Sequence, residues 1–373
     1  MAETLRRLRF PLSASRGRRF HEREHPYRTL FQRDRDRIIH TRAFRRLENK
    51  TQVFTPGLSD HFRNRLTHTI EVAQIARTVA VALELEEDLT EALALAHDIG
   101  HPPFAHSGEE ELNRQMSRFG DSFNHNVHAL RIVESFELRY ARFPGLNLTF
   151  EVREGIVKHS RDLPPDAGPP LDEYLPGFLP PLEAQLIDPA DELAYNTADL
   201  DDAHSAELLS LEKISAGVPK FSELLARVRT WFPDAPERVQ FYETLRSLID
   251  WLVSKLIQGT LQAADGAGVK DGEEVRRCGE RLARFTPEAE VVTQQLKRFL
   301  YAEVYTSAPL LAERERSSAM IARLFRFYLD NPDRLPAPYR DNVPGEPAHR
   351  VVCDYIAGMT DRFFERTYKA LFS

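Results

Sequence analysis

The stretch Leu95-Ala96-His97-Asp98-Ile99-Gly100-His101-Pro102-Pro103-Phe104-Ala105-His106-Ser107-Gly108-Glu109 constrains this chain more than any other. The apolar run from Glu91 to Ala96 reads as a helix, and the Gly100-His101-Pro102-Pro103 break ends it. A His-Asp pair is thereby delivered to a helix C-terminus, where the chain turns back across the same spot. Three histidines and two carboxylates fall within thirteen residues. Neutral imidazole nitrogen and carboxylate oxygen form a mixed donor set suited to a divalent metal that activates water or phosphate. An isolated His-Asp pair would read as a polar helix cap, so the question is whether further donors converge on it.

The rest of the chain is helical in period, and no run of convincing strand alternation appears. Residues 30–47 read as one helix, with Ile38, Phe44 and Leu47 inward and Arg33, Arg37 and Arg45 on another face. Lys50-Thr51-Gln52-Val53-Phe54 is short and β-like before a Pro56-Gly57 turn. A helix from about Asn64 to Leu85 has Leu66, Ile70, Ala73, Ile75, Val79 and Leu83 as its buried stripe and carries Arg65 and His68 at its start. Ser107 with Glu110 forms a Ser-x-x-Glu capping box that would start the next helix, with Glu109 in its first turn. Asn124 is a cap for a helix bearing His125 and His128. Residues 151–160 form a short helix carrying Lys158 and His159, and 164–181 hold seven prolines, a loop or lid. On the following helix Asp191, Tyr195 and Asp199 are four apart and share a face, which implies a polar cleft. Beyond 205 the helices expected are 221–230, 238–258, 273–284, 288–304, 311–329 and 346–371, with 263–271 the most flexible-looking stretch.

The fold expected is therefore all-α, divided into a basic arm over residues 1–29 that is flexible when free, a core over 30–204, and a C-terminal helical region over 205–373 packed on it. Residues 1–50 carry fifteen Lys and Arg in a chain of net charge −7. Such a basic segment is either a solvated face or a site for polyphosphate or nucleic acid. Two cysteines far apart, Cys278 and Cys353, suit a reducing compartment, and neither has metal-ligand spacing. No run approaches a membrane span and no apolar signal segment is evident, so the expected location is the cytoplasm.

His68, His97-Asp98 and Asp191 on successive helices form the pattern H…HD…D, which resembles the HD-domain metal-dependent phosphohydrolases. The likeness is closer than that superfamily. Arg33-Asp34-Arg35-Asp36-Arg37-Ile38, Lys50 to Phe54, His97 to Phe104, Phe123-Asn124-His125-Asn126, Ala194 to Asp199 and Arg350 to Asp361 all resemble the deoxyguanosinetriphosphate triphosphohydrolase family. The resemblance implies an HD-type helical fold and metal-dependent hydrolysis of a deoxynucleoside triphosphate (dNTP) to deoxynucleoside and tripolyphosphate, by cleavage between O5′ and the α-phosphorus. It also implies dNTP activators and a homo-oligomer, commonly a hexamer, while the basic segment 1–50 adds single-stranded DNA as a further, weak partner to be expected.

By that resemblance His68, His97, Asp98 and Asp191 hold the ion. Two neutral histidines and two aspartates bring such a site near net zero with one divalent cation, Mg²⁺ or Mn²⁺ first, with Fe, Co, Ni or Zn also compatible with the donors. The alkoxide leaving at O5′ needs a proton, and His106 with Glu109 makes a His–carboxylate dyad that either supplies it or activates the nucleophile. His101 and His125 are further candidates for phosphate contact. The resemblance places Gln52 at the sugar 3′-OH and Tyr195 where a ribose 2′-OH would clash. It makes Arg65, Lys158 and Asp199 candidate phosphate or sugar contacts, and Arg33, Arg37 and Arg45 candidates for a regulatory phosphate site. Alternatives are an HD-type nucleotidase or alarmone hydrolase using the same ligands, and a nucleic-acid- or deoxynucleotide-binding regulator with a vestigial metal site.

Overall fold

The computed structural model describes residues 4–52, 62–341 and 345–372, and these are all-α. The only β pairing among the described residues is three isolated bridges, one joining Thr51 to Asn64. Val53, Phe54 and the Pro56-Gly57 turn lie outside the described residues. Among those described, no helix is long and apolar enough to cross a membrane.

The run expected as one helix over 30–47 is two, α1 (Leu30–Ile39) and α2 (Arg42–Arg46). Thr41 breaks it, because its hydroxyl accepts from the Phe44 N–H at 2.9 Å and so caps a new helix. Ile38, Phe44 and Leu47 still point inward. Next come α3 (Arg65–Leu83), capped by Asn64, and α4 (Glu87–Ala96). On α3 the buried face runs through Val72, Ala73, Ile75, Ala76, Val79, Ala80 and Leu83, whereas Ile70 is 54% exposed. Then follow α5 (Ala105–Ser117), α6 (His125–Arg131), α7 (Phe150–Val157), α8 (Leu182–Gln185) and α9 (Ile187–Ser205). The C-terminal half supplies α10 (Leu211–Gly217), α11 (Pro219–Trp231), α12 (Glu237–Ala267), α13 (Gly272–Arg277) and α14 (Pro287–Leu300). It closes with α15 (Ala308–Asp330), α16 (Ala337–Arg340), α17 (Ala348–Ala357) and α18 (Asp361–Phe372). Helix α12 runs through most of the stretch expected to be flexible and stops at Gly268, whose φ of +66° suits a left-handed C-cap.

Side chains bury into two apolar cores. The larger gathers α1, α3, α4, α7 and α9 with α10, α11, α12 and α14, so packing crosses the boundary expected at 205. The smaller joins α5 to the C-terminal helices: Phe104, Leu112, Met116 and Phe123 pack with Leu324, Phe325, Val352, Ile356 and Phe364. The loop from His97 to Phe104 passes from one core to the other.

The basic arm expected to be flexible is docked. Leu5, Leu8 and Phe10 are buried in the larger core, and the Phe10 N–H donates to Glu183 at 2.8 Å. Three of its arginines are paired with distant carboxylates: Arg7 with Asp265 at the surface, Arg9 with the buried Glu86 and Arg18 with the buried Asp34. Arg37 grips both oxygens of Glu22 at 2.8 Å and the Leu146 and Asn147 carbonyls at 2.7 and 3.0 Å. The proline-rich excursion is likewise pinned, since Tyr174 is buried and accepts from Arg153 at 2.7 Å.

Candidate metal centre

Helix α4 stops at Ala96 and leaves His97 and Asp98 in the turn that follows. That turn packs hard against α6, since a Cβ on Gly100 would lie 2.0 Å from the His125 carbonyl oxygen. His128 Nδ1–H donates to the Gly100 carbonyl at 2.9 Å and fastens the contact. Phe104 and Ala105 then both take left-handed backbone, with φ of +62° and +53°. For non-glycine residues such strain costs about 1–2 kcal/mol each and persists only where the surroundings enforce it. Helix α5 therefore starts at Ala105 rather than being capped by Ser107, and Glu109 sits in its second turn. The left-handed entry, which the sequence pattern does not signal, overrides the capping box.

His97 donates Nδ1–H to the Ala94 carbonyl at 2.6 Å, which leaves Nε2 as an unprotonated lone pair. That atom is buried and has no hydrogen-bond partner among the described residues. It lies 3.6 Å from Asp98 Oδ1 and 3.7 Å from Asp191 Oδ1. His68, from the first turn of α3, reaches Asp191 Oδ1 through Nε2 at 2.7 Å. Donor atoms of His68, His97 and Asp98 lie within 4.8 Å of one another, as do those of His97, His159 and Asp191. A buried imidazole lone pair facing two carboxylates is a donor set that a divalent cation would take. The residues fit the ion.

Charge is balanced tightly around this point. Burial would raise the Asp98 carboxyl, but the Arg65 guanidinium, then His101 and His97, hold it well below the usual carboxylate range. Arg65 donates to Asp98 Oδ2 at 2.6 Å and keeps a buried Nε–H without a partner. Burial opposes ionisation of Asp191 too, and its contact with His68 lowers it nonetheless. Burial pushes His97 down, which favours the ligating neutral form.

A second cluster stands beside the first. His101 and His125 stack with ring centroids 3.9 Å apart. Glu109 was expected to pair with His106, yet its carboxylate accepts His125 Nδ1–H at 2.8 and 2.9 Å and the His125 backbone N–H at 2.9 Å. Burial would raise Glu109, but the His125 contacts bring it to about 2. His106 stands open on the first turn of α5, with a donor atom within 4.8 Å of Glu109 and of His101.

Sequence reasoning missed His159 and Asp188. His159 Nδ1 is 2.6 Å from Asp188 Oδ1, and its ring is 5.2 Å from that of His97. Asp188 lies one turn before Asp191, a spacing that could have marked it. His159 leaves α7 with no motif around it.

The other candidates divide. Tyr195 and Asp199 share a face with Asp191, and the Tyr305 hydroxyl donates to Asp199. Burial raises Asp199 to about 7. Gln52 is half-buried, with an Oε1 that lacks a partner among the described residues. Lys158 is not placed as a substrate contact: its three ammonium donors go to Glu154, the Leu175 carbonyl and the Phe178 carbonyl at 2.8, 3.0 and 2.8 Å. Arg33 and Arg37 are taken by Glu22, so they anchor the arm and are not free for phosphate. Arg45 lies on the separate helix α2 and is exposed.

Fold and site together define a metal-dependent phosphohydrolase of the HD type. The HD domain profile matches residues 65–196 and the phosphohydrolase-associated domain matches 283–370. Over 96% of its length the chain is 44% identical to a deoxyguanosinetriphosphate triphosphohydrolase-like protein of Geobacter sulfurreducens, covering 92% of that protein. Similar proteins of the same description from Caulobacter sp. (strain K31) and Bordetella pertussis are each 43% identical over 96% of this chain and 94% of theirs. The chain belongs to the deoxyguanosinetriphosphate triphosphohydrolase-like family.

Proposed function

We propose that this chain hydrolyses deoxynucleoside triphosphates to deoxynucleoside and tripolyphosphate. The observation that carries the reading is His97 Nε2, buried, unprotonated and unpartnered between Asp98 and Asp191. The names of the relatives point to a deoxynucleoside triphosphate as the substrate class. His68, His97, Asp98 and Asp191 would hold a divalent cation, Mg²⁺ or Mn²⁺, with His159 beside them. When bound, that ion supplies Lewis-acid polarisation of a phosphoryl oxygen and a more acidic water.

In this reading water oxygen bonds to the α-phosphorus, the bond to O5′ breaks, and O5′ takes a proton to leave as the deoxynucleoside hydroxyl. His106, exposed on the first turn of α5, gives O5′ its proton; desolvation and the nearby Arg65 lower the imidazole, so its protonated form is gained as the anionic substrate binds. His125, its tautomer fixed by Glu109, stacks on His101 and keeps the three imidazoles in order. The free Nε–H of Arg65 offers a donor to the triphosphate. Gln52 and Asp199 take the sugar 3′-OH, and Tyr195 closes on the ribose where a 2′-OH would clash.

Regulation by a second nucleotide is assigned to the surface around Arg45. Arg42, Arg45, Arg46 and Arg139 line a cavity of about 750 Å³. Among the described residues no ion pair neutralises the first three. Assembly into a hexamer is carried over from the resemblance, and weak DNA binding from the basic composition of residues 1–50.

The direct test is anion-exchange analysis after incubation with each dNTP, singly and mixed, and with ribonucleotides, with Mg²⁺ or Mn²⁺ present. Deoxynucleoside and intact tripolyphosphate are expected, at a higher rate in mixtures. Pyrophosphate or orthophosphate as the first product would contradict the reading.

A further inference from the structure

The HD motif follows α4 of the larger core, His106 and Glu109 stand on α5 of the smaller one, and the loop between them is strained at Phe104 and Ala105. Something must fix the register of that loop. We propose that Asp361, on the C-terminal helix α18, is the positioning residue that does so, and that the C-terminal helices thereby complete the active site.

Thr360 caps α18: its side chain accepts from the Phe363 N–H at 3.2 Å and its carbonyl from the Phe364 N–H at 2.8 Å. Asp361, the first helical residue, is left free to reach outward. Its Oδ2 accepts the Thr51 N–H at 2.7 Å, and its Oδ1 accepts the Phe104 N–H at 3.0 Å. One carboxylate therefore joins the segment presenting Gln52 to the residue that opens α5 and presents His106.

Two neighbours act in the same sense. The Phe364 ring meets the Phe104 ring edge-on, with centroids 5.1 Å apart at 85°. The buried Lys50 donates to the His101 carbonyl and, at 3.3 Å, to the Ala357 carbonyl at the end of α17. Backbone N–H groups held by a fixed acceptor cannot drift with the loop, and a displacement of about 1 Å in a reacting group lowers turnover by about 100-fold. The hydrogen bonds of Asp361 go to main chain, and its charge favours the buried Lys50 ammonium that holds the same loop, so its effect passes through the placement of His106 and Gln52.

The inference rests on the triphosphohydrolase reading for its kinetic readout, and on geometry alone for its exchange readout. Asp361→Asn keeps the size of the side chain but offers one acceptor oxygen in place of two; Asp361→Ala offers none. With full-length protein and Mn²⁺, kcat for dNTP hydrolysis is expected to fall about 10–100-fold in Asp361→Asn. KM, bound metal and the unfolding temperature should change little, which a general loss of folding would not produce. Amide exchange at Thr51 or Phe104 should accelerate at least tenfold. Unchanged kcat, or a fall matched by loss of metal and of folded protein, overturns the proposal. If wild-type protein releases no tripolyphosphate, the functional reading fails on its own. In that case exchange at Thr51 and Phe104 as slow in Asp361→Asn as in wild type would still overturn the clamp. Should Asp361→Ala fail to fold, Asp361→Asn carries both readouts.

Discussion

At the scale of single residues, the proposed reaction divides the site into groups that would hold an ion and groups that would handle a proton. Asp98→Ala or Asp191→Ala should lose bound metal and turnover together, whereas Glu109→Gln should keep the metal and lose turnover by about 10²–10⁴-fold. Metal content by mass spectrometry beside kcat reads both; full turnover in metal-depleted Asp98→Ala would remove the ion from the account. Asp199 makes a separate prediction about pH. Its carboxyl is raised to about 7 by burial, against the donation from Tyr305. A carboxyl whose folded value lies above its unfolded one contributes stability that is complete below about pH 4 and lost as pH rises through 7. Asp199→Asn should therefore match wild type in unfolding free energy near pH 4 and exceed it at pH 8, by at most about 4 kcal/mol. A difference that stays constant across that range would contradict the raised value.

At the scale of elements, close backbone contact decides how the loop after Asp98 meets α6. Gly100→Ala places a methyl group on the His125 carbonyl and the Ala129 N–H. The α6 start must move, so this single methyl should destabilise by about 1–3 kcal/mol and cut turnover by separating His101 from His125. Thermal unfolding and kcat of the one variant check it, and wild-type values in both would show that the contact yields freely.

The same elements show what the sequence made legible. His68 and Asp191 stand out because they lie on strongly periodic helices and His97-Asp98 because they directly follow one, and the Asn124 cap was legible from the pattern of the helix it starts. The Ser107 box misled because a left-handed entry at Phe104 has no periodic signature, and the hydrogen bonds of Glu109 to His125, beside its nearness to His106, have none either. Thr41 divides a helix for a reason that its neighbours' alternating charges conceal. His159 belongs to the site through tertiary packing alone.

At the scale of the whole molecule, the arm and the C-terminal helices are parts of one structure around the site. The arm docks through scattered apolar residues in short turns and through arginines whose carboxylate partners lie far away in sequence, so composition suggested only a loose basic tail. Several of its charges are paired within the fold, through Arg9, Arg18 and Arg19, whereas Arg42, Arg45 and Arg46 beyond the arm carry no ion pair among the described residues. The C-terminal helices share a core with α5, which binds the phosphohydrolase-associated region to the helix that carries His106 and Glu109.

In the proposed reaction water attacks the α-phosphorus and the bond to O5′ breaks. Hydrolysis of a dNTP by the metal-loaded protein in water enriched in heavy oxygen tests it most directly. The account predicts one heavy oxygen in tripolyphosphate and none in the deoxynucleoside. Heavy oxygen in the deoxynucleoside, or in orthophosphate released beside a nucleotide, would contradict it.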